Sequence, residues 1–162
     1  MRYMIREQFF RLGEDSTITD EAGQPVYEVD GKVLTLHHTL LIRDTAGREV
    51  AKVQKQLIAL RPTYEITIGG QEQAEVRKKL FSPFVDRFTI DIPGPDDFEM
   101  KGSLLDHDFT ISRDGQVVAT VSKRWISLTD TYGVEIAQGQ NDLLILASVL
   151  ALDLAEDEER RD

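Results

Sequence analysis

The sequence predicts a mainly β (α+β) fold, a closed antiparallel barrel that encloses its own C-terminal helix. Three observations lead there. The chain contains an internal repeat of strand, turn and strand. Short strand-like runs recur at intervals of about 8–12 residues, the spacing of sandwiches and barrels. One late segment, Leu143–Ala155, is apolar on nearly every side.

The repeat is read by laying Gly47–Ile66 over Gly115–Val134 without a gap, which makes 9 of 20 positions identical. The identities are Gly47/Gly115, Val50/Val118, Ala51/Ala119, Val53/Val121, Lys55/Lys123, Ile58/Ile126, Leu60/Leu128, Thr63/Thr131 and Tyr64/Tyr132. Ahead of each copy lies a turn, Asp44-Thr45-Ala46-Gly47 in the first and Asp114-Gly115 in the second. An Asp-Gly pair between strand-like runs is a strong hairpin signal because both positions favour positive φ. A fainter third copy, Asp20–Val29, opens the chain. Ile58 and Leu60 have the opposite parity from Ala51 and Val53, as do Ile126 and Leu128 from Ala119 and Val121. Strand side chains alternate faces, so the chain must bulge or turn near Lys55–Leu57 and again near Lys123–Trp125.

Further strands are expected at Gln8–Leu12, Thr17–Thr19, Thr39–Arg43, Thr63–Ile68, Ala74–Phe81, Asp86–Ile92 and Phe98–Gly102. Ala74–Phe81 also suits a short helix. Pro93–Asp97 reads as a loop inside the domain.

The last element is a helix over about 142–156, with Asn141 or Asp142 as its cap. Leu143–Leu152 holds one polar residue, Ser148, so nearly three turns lack a polar face. A helix apolar all round is buried in a core or in a membrane. At ~1.5 Å per residue the segment spans about 20 Å, short of a ~30 Å hydrocarbon layer. A sheet closed around it is the simplest enclosure. Glu156–Glu159 oppose the helix dipole, so the helix should fray near Asp157. The expected organisation is one domain, 1–156, with an acidic tail at 157–162.

These features, with Lys123–Tyr132 and the Leu150-Ala151-Leu152-Asp153 helix, resemble the LURP-one-related proteins. That family shares its fold with phospholipid scramblases and the tubby C-terminal domain. The resemblance covers essentially the whole chain and implies about twelve strands around a central helix, a tubby C-terminal-like barrel. It implies little about activity: tubby domains bind phosphoinositides through basic side chains and scramblases act at membranes. The chain lacks the cysteine cluster and Pro-rich N-terminus of the scramblases.

Composition narrows the function classes. The chain has 162 residues, no cysteine and a formal charge of −10. Without cysteine there are no disulfides, thiol catalysis or cysteine-ligated zinc, and a cytoplasmic, reducing setting is expected. The N-terminal segment lacks a signal-peptide core, and no run is long enough for a transmembrane segment. Residues 153–162 carry a net −4 and the remainder a net −6. Acidity in both parts argues against nucleic-acid partners, which need a positive face.

Lys55 and Lys123 occupy equivalent repeat positions beside the expected bends, with Lys52 and Arg124 close in sequence. These four are the candidate ligand-binding residues, suited to a phosphate or carboxylate. Lysines at a bend also commonly pack their stems on the sheet and keep the ammonium in water. Arg77-Lys78-Lys79 reads as a solvated strand, Trp125 as a packing residue. Asp106-His107-Asp108 lacks a second ligand cluster, and His37-His38 would point to opposite faces of an extended strand, so no metal is expected. No cofactor or catalytic motif is present, neither a GxSxG elbow nor a phosphate loop, GxGxxG or HExxH. The expected function is a non-catalytic binding or scaffold domain for a phospholipid headgroup or another protein. The alternatives are a membrane-associated, scramblase-like protein and an enzyme with an unrecognised site.

Overall fold

A computed structural model describes residues 1–7, 9–31, 38–79, 84–93, 97–126 and 128–161. Its elements are β1 (Arg2–Arg6), a 3-10 turn (Phe9–Leu12), β2 (Ser16–Asp20), β3 (Pro25–Asp30), β4 (Thr39–Asp44), β5 (Glu49–Lys55), β6 (Thr63–Ile68), β7 (Gln71–Lys78), β8 (Asp86–Asp91), β9 (Phe98–Ser103), β10 (Asp108–Arg113), β11 (Gln116–Ser122), β12 (Thr131–Ile136) and α1 (Asp142–Arg161). The twelve strands form one closed barrel in which every strand pairs with its sequence neighbours. Closure comes from β1 against β12, antiparallel, with Tyr3 opposite Val134 and Ile5 opposite Tyr132. An even strand count lets a meander close antiparallel and leaves no free edge.

The repeat is visible in the turns. Asp20 Oδ1 accepts from the Ala22 and Gln24 amides, each at 2.9 Å. Asp44 Oδ1 does the same for Ala46 and Arg48, each at 3.0 Å. The β2–β3, β4–β5 and β10–β11 hairpins each carry a register shift beside the turn. Asp114 and Gly115 have φ of 49° and 76°, the conformation their pairing predicted. After Lys55 and after Ser122 the chain leaves the sheet, which resolves the parity break by turning rather than bulging.

Alternation puts one side of each strand inward, including Ile42, Val53, Ile66, Val76, Ile90 and Val121, all buried. Within them lies α1, whose residues Leu144–Ala155 are buried all round. Asn141 caps it, its Oδ1 accepting from the Leu144 amide at 3.1 Å. The helix runs closest to β5, β6 and β7. Two of those strands present small inward residues, Ala51 and Ala74, whereas Phe88, Phe98 and Phe109 fill the far side. Side-chain volume therefore sets where the helix sits.

Three expectations change. Within Gln8–Leu12, Phe9–Leu12 form a 3-10 turn instead of a strand, and Gln8 lies outside the described residues. The reason is that Phe9 and Phe10 are both buried, edge to face at 5.5 Å, whereas a strand would turn one of two neighbours outward. The strand expected at Ala74–Phe81 runs over Gln71–Lys78, with Leu80 and Phe81 outside the described residues. Finally, the helix does not fray at Asp157 but continues to Arg161. Cations at the barrel end hold its acids: Arg11 pairs with Asp157, Lys55 Nζ lies 2.6 Å from Glu158, and Lys78 pairs with Glu159. This collar offsets the unfavourable dipole.

Candidate functional site

The two barrel ends differ in chemistry. The connections after β2, β4, β6 and β10 are tight polar turns beside the start of α1. Those after β5, β7, β9 and β11 surround its C-terminal end, where Lys55, Lys78 and His107 meet helix acids.

Just inside this second end lies a buried polar cluster. His107 belongs to the β9–β10 connection, with φ of 48°, and its ring turns inward. His107 Nε2 donates to Asp153 Oδ1 at 2.9 Å, and the Tyr132 hydroxyl donates to Asp153 Oδ2. The imidazole stacks on Tyr132 with centroids 4.2 Å apart. Its Nδ1 faces Glu7 Oε1 at 3.6 Å, an ion-pair separation too long for a hydrogen bond, and Lys123 closes on Glu7 from outside. Asp153 is thus a carboxylate in an apolar helix that survives because two inward donors reach it.

Burial alone pulls the His107 imidazole toward neutrality. The hydrogen bond and charge of Asp153, with Glu7 behind them, outweigh it against Lys123 and hold its pKa above the ordinary 6.5. Burial and then the Asp153 charge push Tyr132 well above the usual phenol range, so it stays a donor. A raised histidine pKa favours the fold fully below the unfolded value and loses that contribution as pH rises through the folded value. As pH rises above the ordinary histidine value of 6.5, the melting temperature should therefore fall more steeply for the wild type than for His107→Gln. Equal falls, read by circular dichroism, would show that the imidazole carries no proton in the fold.

The histidine–carboxylate pair has the look of a general base and its orienting group. Among the described residues no nucleophile stands beside it, and three surface clefts of about 780, 380 and 320 Å³ are lined by none of His107, Asp153, Tyr132, Glu7 or Lys123. The largest opens at the other mouth, beside Met1, Tyr27 and Ala137–Leu143. Among the described residues, Glu65, Glu72 and Glu75 bring carboxylate oxygens within 4.8 Å of one another, a set that can hold a cation. Gln56 Nε2 already donates to Glu65 and Glu75, at 2.5 and 3.2 Å, and Arg77 neutralises Glu75.

The four lysines and arginines singled out from the repeat do not converge on one ligand position. Lys55 is held by Glu158 and Lys123 by Glu7. Lys52 lies on the outer wall beside Gly69 and Gly70, and exposed Arg124 sits 3.6 Å from Asp108. Of the basic run, Arg77 meets Glu75 and Asp91, Lys78 meets Glu159, and Lys79 meets Glu99. Asp106 bonds Ser103 instead of joining His107, and His38 is exposed with φ of 55°, while His37 lies outside the described residues. Trp125 packs on the outer wall over Gly133, where an added Cβ would lie 3.0 Å from its ring, and Arg2 stacks above it at 4.7 Å. The His107–Asp153 pairing spans 46 residues and has no spacing signature. One signal for it was present: a lone acid, Asp153, inside a helix without a polar face demands a buried partner.

Comparisons with known proteins agree with this architecture. A family model described as LURP-one-related matches residues 1–153. The uncharacterized protein YxjI of Bacillus subtilis is 30% identical over 151 residues, covering 93% of this chain and 90% of that protein. An X-ray structure of a protein from Arabidopsis thaliana shares the fold with a TM-score of 0.68 at 16% identity, covering 98% of this chain and 90% of that one. By family model and by relative alike, the chain belongs to the LURP-one-related family.

Proposed function

We propose that the protein is a non-catalytic binding domain whose working surface is the barrel end around the C-terminus of α1. The observation that carries this reading is the filled interior. With α1 buried from Leu144 to Ala155, a substrate has no room inside, and the histidine–carboxylate pair is sealed. Binding is left to the outside, where the loops at this end hold exposed apolar side chains, with Lys123 and Arg124 on the β11–β12 loop. The partner is a phospholipid surface or another protein. A cytoplasmic setting, which a chain without cysteine suits, belongs to the same reading. Among the described residues no helix is long and apolar enough to cross a membrane.

In-cell photo-crosslinking tests this. A crosslinking residue at position 58 should give discrete adducts, lipid or protein, while one at position 46 on the opposite mouth gives none. Matching patterns at the two positions, or no adduct at 58, would remove the working-surface assignment.

A further inference from the structure

Ten large hydrophobic residues are exposed among those described, and eight of them lie on four loops at one barrel end. Leu57, Ile58 and Leu60 are on β5–β6, Phe84 and Val85 on β7–β8, Leu105 on β9–β10, and Leu128 on β11–β12 with Trp125, which folds back over Gly133. Ile58, Leu60 and Phe84 are 98%, 108% and 96% exposed, so they pack on none of the described residues. The opposite mouth contributes only Met1 and Val117. Such clustering on one face marks an interaction surface.

We propose that this end of the barrel docks onto a phospholipid bilayer, the loop tips sinking into the interface while Arg61 meets lipid phosphates. The inference rests on the binding-domain reading above and names its partner. Two observations favour a bilayer over other occupants. The tips sit on separate loops around an arc from β5 to β12 instead of lining a groove, so each enters a deformable apolar layer independently. A rigid protein would need a matching pocket for each. The charge pattern points the same way. Residues 56–62 and 79–85 hold Arg61 and Lys79 and no acid, in a chain of net −10, whereas Asp106 and Asp130 stand on the other two loops and Lys79 meets Glu99. The Arg61 guanidinium donates to the Lys78 carbonyl at 3.2 Å and pairs with no described carboxylate. Helix acids at this end are already matched by Arg11, Lys55 and Lys78. A second copy placed end to end would set Arg61 against the like charges of its mate. Lipid phosphates complement them, and apolar tips flanked by basic residues are the pattern of interfacial binding.

Vesicle flotation with the full chain tests the proposal, using phosphatidylcholine alone and phosphatidylcholine with phosphatidylserine. The wild type should float with both, more with the anionic mixture, and stay bound in high salt because the apolar tips carry most of the affinity. The triple variant Ile58→Ser, Leu60→Ser, Phe84→Ser should lose about 100-fold in partitioning while melting as the wild type does, since three exposed side chains leave the core untouched. Arg61→Gln should reduce only the anionic preference. Absence of wild-type flotation, or equal flotation of the triple variant, overturns bilayer docking. So does a wild-type dimer that the triple variant dissolves, because the tips would then face a second copy. Protein adducts at position 58 alongside failed flotation would leave the binding-domain reading standing and remove the bilayer.

Discussion

Leu146→Asp is expected to leave most of the protein insoluble or unfolded at 25 °C. Leu146 has no exposed surface and sits in the second turn of α1, inside the barrel. The substitution removes about 1.5–3 kcal/mol of apolar burial and adds a carboxylate without a partner, which costs several kcal/mol more even when protonated. Total stability for a domain of this size is about 5–15 kcal/mol. Leu146→Ala provides the scale: cavity formation should cost about 2–5 kcal/mol and leave a folded barrel with a lower melting temperature. Soluble yield and circular dichroism distinguish the two. Wild-type melting of Leu146→Asp would mean that the helix is not enclosed.

The second large effect is expected at Asp153. Asp153→Ala leaves the His107 ring and the Tyr132 hydroxyl without their acceptor in the interior, and breaking a buried charged arrangement from one side costs about 3–5 kcal/mol. Asp153→Asn should be much milder. Its amide oxygen accepts from Tyr132 while its nitrogen donates to a neutral imidazole at Nε2, so both contacts to position 153 are kept. The loss of stability with rising pH should shrink with it, because Asp153 is the main group holding the proton on His107 and only the charge of Glu7 remains. Denaturant unfolding of the two variants at neutral pH gives the comparison. Equal destabilisation by Ala and Asn would show that packing volume, not hydrogen bonding, governs the site.

What could be read beforehand followed the range of the interactions. The Asp20, Asp44 and Asp114 turns depend on residues a few positions apart and were visible as a repeat. Enclosure of α1 was visible because an apolar surface on all sides has one remedy in a short helix. Strand β1 went unremarked, since its partner β12 lies at the other end of the chain. Extension of α1 past Asp157 was hidden because Arg11, Lys55 and Lys78 come from three separate elements. The equivalent lysines were legible as a pair, but their neutralisation by Glu158 and Glu7 depends on tertiary placement.

The order of elements along the chain constrains how the molecule can assemble. The segment that fills the barrel follows all twelve strands in sequence, and the strand that seals the cylinder against β12 comes first. Hairpins β2–β3 to β10–β11 can zip locally as they emerge, yet the resulting curved ribbon exposes a greasy concave side until residues 142–155 arrive. Wrapping and sealing must then happen in one late event with a large loop-closure penalty, which makes a slow final step and a need for chaperone shelter the expected kinetic signature.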